Sequence, residues 1–285
     1  MRCLLRDGRQ PHAQAIRDCQ RILAAGINVV GSAPGVLQFP WQLLPAKYIS
    51  RLEDTARQSN SSLFITGVDP GFANDLIPLA FASTCQSIDQ VRCMEIADYA
   101  TYDGAIVMFD VMGFGKPLDE LPILLQPGVL SIAWGTAIRQ LAAGLGIDVD
   151  DITETYEREP AAEAFDIAAG HVPQSSVAAM RFEICGLVKG QPTIVIEPVT
   201  RLRHDLRPDW PQPAQPGGSY RVEITGEPSY AVDVCPTSRK GDHNHAAIVG
   251  AAGRIVNAIP AVIAAPPGIT TTLDLPLITR RAEAD

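Results

Sequence analysis

Ile27-Asn-Val-Val-Gly-Ser-Ala-Pro-Gly35 is a short apolar run that breaks into small, turn-forming residues. It predicts a strand over Ile27–Val30 and a turn-rich loop over Ser32–Gly35. Before it, Pro11–Ala25 sets Ile16, Cys19, Ile22 and Leu23 on one face at helical spacing, and Gly26 ends that helix. After it, Pro45–Arg57 reads as a second helix with Tyr48, Ile49 and Leu52 inward, and Ser62–Thr66 as a second apolar strand. Helix, strand, helix, strand is the order of parallel βαβ construction. Neither strand alternates, as expected when helices cover both faces of a sheet.

Beyond Gly67 the pattern changes. Val68-Asp-Pro-Gly-Phe72 is a turn, and a helix follows over about Asn74–Ala82. Strand-like runs then occupy Val91–Tyr99, Ile152–Arg158, Ala178–Val188, Thr193–Leu202, Ser219–Thr225 and Tyr230–Val234, with a helix between at Gly128–Gly144. Lys189-Gly-Gln-Pro192 marks a hairpin, and proline-rich Arg207–Gly218 a surface loop. A helix over His245–Ala258, a rigid turn at Ala264–Gly268 and a frayed tail at Arg280–Asp285 close the chain.

The 285 residues are 46% hydrophobic and 19% charged, the balance of a globular chain with a sizeable core. A net charge of −9 argues against nucleic acid as a partner. No apolar run approaches the length of a bilayer span, so no membrane partner is expected. Met1–Gln20 is polar and arginine-rich, unlike a signal peptide. The six cysteines are scattered without a Cys-x-x-Cys pair, which fits reduced thiols, a cytoplasmic setting and no metal site.

Gly241-Asp-His-Asn-His245 carries the densest polar chemistry. Asp242 suits a helix N-cap, and the dipole of the helix it caps disfavours a charged imidazole. A neutral His243, with Asn244 beside it, can donate to a substrate or act as a base. The plainer reading is a capped helix bearing two surface histidines. His243 and His245 are two apart, which does not put them on one helix face for a metal.

Gly67-Val-Asp-Pro-Gly-Phe72 with Asp75-Leu-Ile-Pro78, then Glu95-Ile-Ala-Asp98 and Gly113-Phe-Gly115, resemble the dihydrodipicolinate-reductase-like proteins. Among these the likeness is to the 2,4-diaminopentanoate dehydrogenases and the native amine dehydrogenases. Arg181-Phe-Glu183, Glu197–Leu202, Gly241–Asn244, Val256–Pro260 and Pro266-Pro-Gly268 extend it. The resemblance implies NAD or NADP as cofactor, a small-molecule substrate, and hydride transfer between nicotinamide and an amine or imine carbon. The long strands Ala178–Val188 and Thr193–Leu202 form a broad sheet with one face to be covered by helices or another subunit, which predicts a homo-oligomer.

The fold class expected is therefore a partial Rossmann-like, doubly wound parallel sheet followed by an α+β domain with a mixed or antiparallel sheet. Residues 1–67 form the Rossmann-like part, 68–240 the substrate and dimerisation domain, and 241–285 a helix and tail packing back on the first part. Ser32, Ala33 and Pro34 lie where such sheets bind ligands and can line the nicotinamide ribose, though an ordinary strand-to-helix turn fits them as well. Asp69, Pro70 and Gly71 can bring backbone up to the cofactor, or serve as a hinge turn. Phe39, Trp41, Phe72 and Phe114 can wall an apolar substrate pocket, or, for Phe39 and Trp41, staple the following helix.

Two departures from the resemblance stand out. The opening strand and glycine-rich pyrophosphate loop have no counterpart, and Met1 enters the pattern deep inside the Rossmann part, so the chain reads as lacking its first βαβ units. The loop Gly31–Trp41 also has no Asp or Glu where the amine dehydrogenases carry an acid. The competing expectation is a non-catalytic ligand-binding or dimerisation remnant without nucleotide.

Overall fold

The computed structural model describes residues 11–280. Met1–Gln10 and the last five residues of the expected tail, 281–285, lie outside them. In chain order the elements are α1 (Pro11–Ala24), β1 (Val29–Gly31), α2 (Ala46–Gln58), β2 (Ser62–Ile65), α3 (Leu76–Ala82), β3 (Ser87–Asp98), α4 (Val129–Leu145) and β4 (Asp151–Pro160). There follow β5 (Phe165–Ile167), β6 (Gly170–Val172), β7 (Val177–Val188), β8 (Gln191–Arg201), β9 (Gly218–Glu227), β10 (Tyr230–Val234), α5 (His243–Ala264) and β11 (Gly268–Thr270).

Two larger sheets carry the molecule. The small one is wholly parallel, in the order β1-β2-β11. Leu63, Phe64 and Ile65 of its central strand are buried on both faces, which is why that run does not alternate. Leu23, Leu37, Leu52 and Ala56 close one side; Ala258 and Val262 of α5 close the other over Phe64. The second sheet is mixed, in the order β10-β9-β3-β8-β7-β4. Only β3 and β8 run parallel in it; the rest are antiparallel. The β7–β8 hairpin turns on Lys189 and Gly190, both at positive φ (51° and 77°), as a two-residue turn of this hand requires. The fold class is thus a parallel α/β sheet joined to a mixed, mostly antiparallel sheet with helices.

Several expectations need correction. β1 begins two residues later than Ile27, which is 57% exposed. The Ser32–Gly35 loop runs into a 3₁₀ turn, Gly35–Leu37. Residues Ala264–Gly268 lead into β11, a third parallel strand too short to show a period. α5 starts earlier and runs six residues past Ala258, through Pro260. Pro260 and Val256 lie on the exposed side, so the carbonyl that loses its bond there can turn to water. At 22 residues α5 is long and on average apolar enough to cross a bilayer, while Arg254 and Asn257 interrupt its apolar run. A π-helical segment, Ile106–Val111, and the small hairpin β5–β6 were not foreseen.

Candidate active site

Parallel β1 and β2 deliver their carboxyl ends to the same edge of the small sheet, the edge where open α/β sheets take ligands. Ser32, just after β1, and Gly67-Val-Asp-Pro70, just after β2, line one wall of a cleft of about 380 Å³ there. The mixed sheet is the opposite wall. Side chains two apart on a strand share a face, so Glu95 projects with Cys93 and Ala97 rather than with Arg92 and Met94. Tyr220 of β9 stands directly across from Glu95, and Thr200 of β8 and Phe182 of β7 continue the surface. Trp134 of α4 and Asn244 and Ile248 of α5 complete the enclosure, with Val107 and Met112 near the π-helical segment.

The turn that carries Asp69 is built for close approach. Gly71 has φ +145°, and a Cβ on it would collide with the Gly67 backbone. The Phe72 N–H donates to the Gly67 carbonyl at 3.0 Å and closes the loop. Trp134 Nε1 and Asn74 Nδ2 both donate to Asp69 Oδ1, at 2.7 and 2.6 Å. No described residue donates to Oδ2. On the other wall the Tyr99 hydroxyl donates to Glu95 Oε2 at 2.9 Å, and the Tyr220 hydroxyl reaches the same carboxyl group.

Removal from water governs the charges. It pushes Asp69 up to about 6, against the hydrogen bonds from Trp134 and Asn74. It pushes Glu95 up to about 8, with the charge of Asp69 adding to the rise and the two tyrosines opposing it. Burial, then the neighbouring Glu95, raises the Tyr99 and Tyr220 phenols, which stay donors at neutral pH. Burial thus lifts both carboxyls above their ordinary values, Glu95 further than Asp69, so the coupled pair holds on to a proton more readily at Glu95.

The residues singled out in the sequence are only partly assembled here. Ser32, Asp69, Pro70 and Asn244 line the cleft. Ala33 is exposed beside it, Pro34 is buried, and Gly71 lies behind the Asp69 turn. His243 does not line it. The ring is 4% exposed, packs on Tyr220 at 5.6 Å between centroids and fills the space over Gly218. Burial lowers its pKa, while Asp242 and the Pro236 carbonyl pull the other way. Asn244 is held in place, its Nδ2 donating to the Asp98 carbonyl at 2.8 Å and Thr101 Oγ1 at 2.7 Å.

Of the expected aromatic wall, Phe114 is wholly buried in the main core and Phe72 packs against that core. Phe39 and Trp41 pair edge-on at 4.9 Å on a separate surface hollow with Arg139. The aromatic residues in the cleft are instead Trp134, Phe182 and the tyrosines.

Sequence reasoning missed Glu95, Tyr99, Tyr220 and Trp134. Glu95 left a signal, a lone carboxylate between Cys93 and Ala97 on one face of a buried strand. Tyr220 left none, because its place opposite Glu95 comes from a register 125 positions away along the chain.

Comparison with known proteins agrees with this architecture. The sequence model of the 2,4-diaminopentanoate dehydrogenase C-terminal domain matches residues 72–284. The amine dehydrogenase of Streptomyces virginiae is 36% identical over 270 residues, 93% of this chain and 74% of that protein. The 2,4-diaminopentanoate dehydrogenase of Acetoanaerobium sticklandii is 26% identical over 265 residues, 90% of this chain and 68% of that protein. The structure of amine dehydrogenase from Mycobacterium smegmatis has the same fold, with a TM-score of 0.71 at 20% identity, over 94% of this chain and 73% of that one. The chain belongs to the family of the amine dehydrogenases and 2,4-diaminopentanoate dehydrogenases.

Proposed function

We propose that the chain works as an NAD(P)-dependent oxidoreductase at a carbon bearing an amine or imine nitrogen. The observation that carries this reading is the cleft itself. It opens at the carboxyl ends of β1 and β2 and is faced by an acidic, tyrosine-bearing wall. The residues present fit the nicotinamide end of the cofactor: the Ser32 hydroxyl and the Gly67–Pro70 backbone lie at that sheet edge, and Gly71 keeps the turn free of a side chain. No Gly-x-Gly-x-x-Gly occurs within residues 1–285, so the residues named here are those of the nicotinamide end alone. When bound, the nicotinamide exchanges a hydride with the substrate carbon.

The chain's own residues do the rest. Ser32 and the turn Gly67–Pro70 seat the cofactor edge, the rest of 68–240 supplies the substrate wall, and the helix from 241 closes the cleft with Asn244 and Ile248. Met112, Leu124, Phe182 and Ile248 exclude water from the reacting carbon. The acid-free loop Gly31–Trp41 favours a second reading, a ligand-binding or dimerisation module without nucleotide.

One assay separates them. The protein, a small aliphatic ketone and ammonium chloride are mixed with NADH or NADPH, and loss of the reduced-nicotinamide absorbance is followed. Consumption that needs both ketone and ammonia is expected. Consumption without ammonia would make the protein a ketone reductase instead, and no consumption together with no nucleotide binding would leave the module.

A further inference from the structure

Among the described residues that line the cleft, only Asp69 and Glu95 carry carboxyl groups, and none is Lys, Arg or His. The loop after β1, Gly31–Trp41, contributes no carboxylate at all. Asp69 is locked through one oxygen, Oδ1, by Trp134 and Asn74, so its Oδ2 is the acceptor left for an occupant. Glu95 is held from behind by Tyr99. The rest of the lining near the pair is apolar or neutral: Phe182, Met112, Thr200 and Pro198. A site of this composition selects a group with one positive charge and several N–H donors, on an apolar body.

We propose that Asp69 Oδ2 seats the nitrogen of a primary amine and that Glu95 takes up and returns the reacting proton. This rests on the amine–imine reading of the cleft and names the residues that perform its proton step. The balance is as follows. The free pair holds one proton, on Glu95, and the incoming ammonium holds three N–H bonds. Binding expels one proton to solvent. The proton expelled is the one on Glu95; one N–H bond of the ammonium then breaks, its proton re-forms the Glu95 O–H bond, and a neutral amine with a free lone pair remains beside Asp69. No electron is gained or lost in the proton step itself, and the reverse step returns the proton from Glu95 to the nitrogen.

The groups around the pair do not compete for that proton. Cys93 on β3, Tyr99 just beyond its end and Tyr220 on β9 are all pushed up by burial and stay neutral. Trp134 from α4, Asn74 from the turn, Thr200 from β8 and Asn244 from α5 do not titrate. His243 stands behind Tyr220, its charged form disfavoured by burial.

Calorimetric titration with n-butylammonium chloride near pH 7, in two buffers of different ionisation enthalpy, reads the proton directly. Butan-1-ol is the uncharged control. Wild-type protein is expected to release close to one proton per amine bound and none with the alcohol. Glu95→Gln should still bind the amine and release no proton, because the ammonium then stays intact beside Asp69. Asp69→Asn should weaken binding more than about tenfold. Glu95→Asp, which keeps a carboxyl group, should restore release and guards against a misfolded Gln variant.

Amine binding without proton release, equal release in Glu95→Gln, or no amine binding would each overturn the assignment. The two readings fail separately. Proton release without ammonia-dependent turnover keeps the pair and removes the oxidoreductase. Ammonia-dependent turnover that Glu95→Gln does not lower removes the pair, since general acid–base help is worth about 10²–10⁴-fold.

Discussion

Glu95 spends its neutral form on folding before any ligand arrives. Its carboxyl rises from an ordinary value of 4.5 to about 8 in the folded protein. A group raised on folding stabilises fully below its unfolded pKa, and the contribution drains away as pH climbs through the folded value. Wild-type protein should therefore lose stability relative to Glu95→Gln between about pH 5 and pH 8, because glutamine keeps the shape without the titration. Thermal melts of both proteins across that range would show the wild-type curve falling towards, or below, the variant's; parallel curves would mean that Glu95 is not desolvated. What was legible at this scale was the polar character of Asp69 and Asn244. The role expected of His243 was not, because a dipole argument places a ring at a helix start without saying what fills the space above it. Gly218, at φ +150°, leaves room there for the imidazole and not for a solvent channel.

Helix α5 shows how far a local rule reaches. Asp242 accepts from the N–H groups of Asn244 and His245 at 3.2 and 3.0 Å, and from the Thr101 hydroxyl at 2.8 Å. The cap was readable in the sequence because it needs only four consecutive residues, Asp242 to His245. Asp242→Ala should cost about 1 kcal/mol, within the 0.5–2 kcal/mol of lost caps. It should also loosen Asn244 in the cleft; a denaturation midpoint unchanged from wild type would show the cap to be idle. The far end of α5 and the strand β11 were not readable. Proline and glycine dominate Ala264–Gly268, and a three-residue strand has no period to betray it. Strand and helix identities survived elsewhere because burial on both faces left its mark on Ser62–Ile65, and amphipathic spacing left its mark on α1 and α2.

For the whole molecule, helices α3, α4 and α5 pack on the mixed sheet from the cleft side. The opposite face carries a ladder of charge in which Arg92 pairs with Glu183 and Glu197, and Arg181 with Glu197 and Glu157. Glu197 is 1% exposed within it. A half-buried face of paired, self-complementary charges suits contact with a second copy about a two-fold axis. Light scattering at about tens of micromolar is expected to give a dimer or larger assembly, shrinking in high salt as screened ion pairs weaken; a monomer throughout would leave the ladder a purely internal brace. The assignment of a parallel sheet followed by a mixed one was legible from the order of elements, whereas the closing of the small sheet by its last strand was not. That closure has a consequence for synthesis. The Ser62 hydroxyl bonds to the Pro266 carbonyl, 204 positions along the chain. At about 5–20 residues per second a ribosome needs some 10–40 s to make that stretch. Throughout that interval the buried strand Ser62–Ile65 has one naked, apolar edge. The nascent chain is then most open to wrong pairings just where the finished protein is most tightly enclosed.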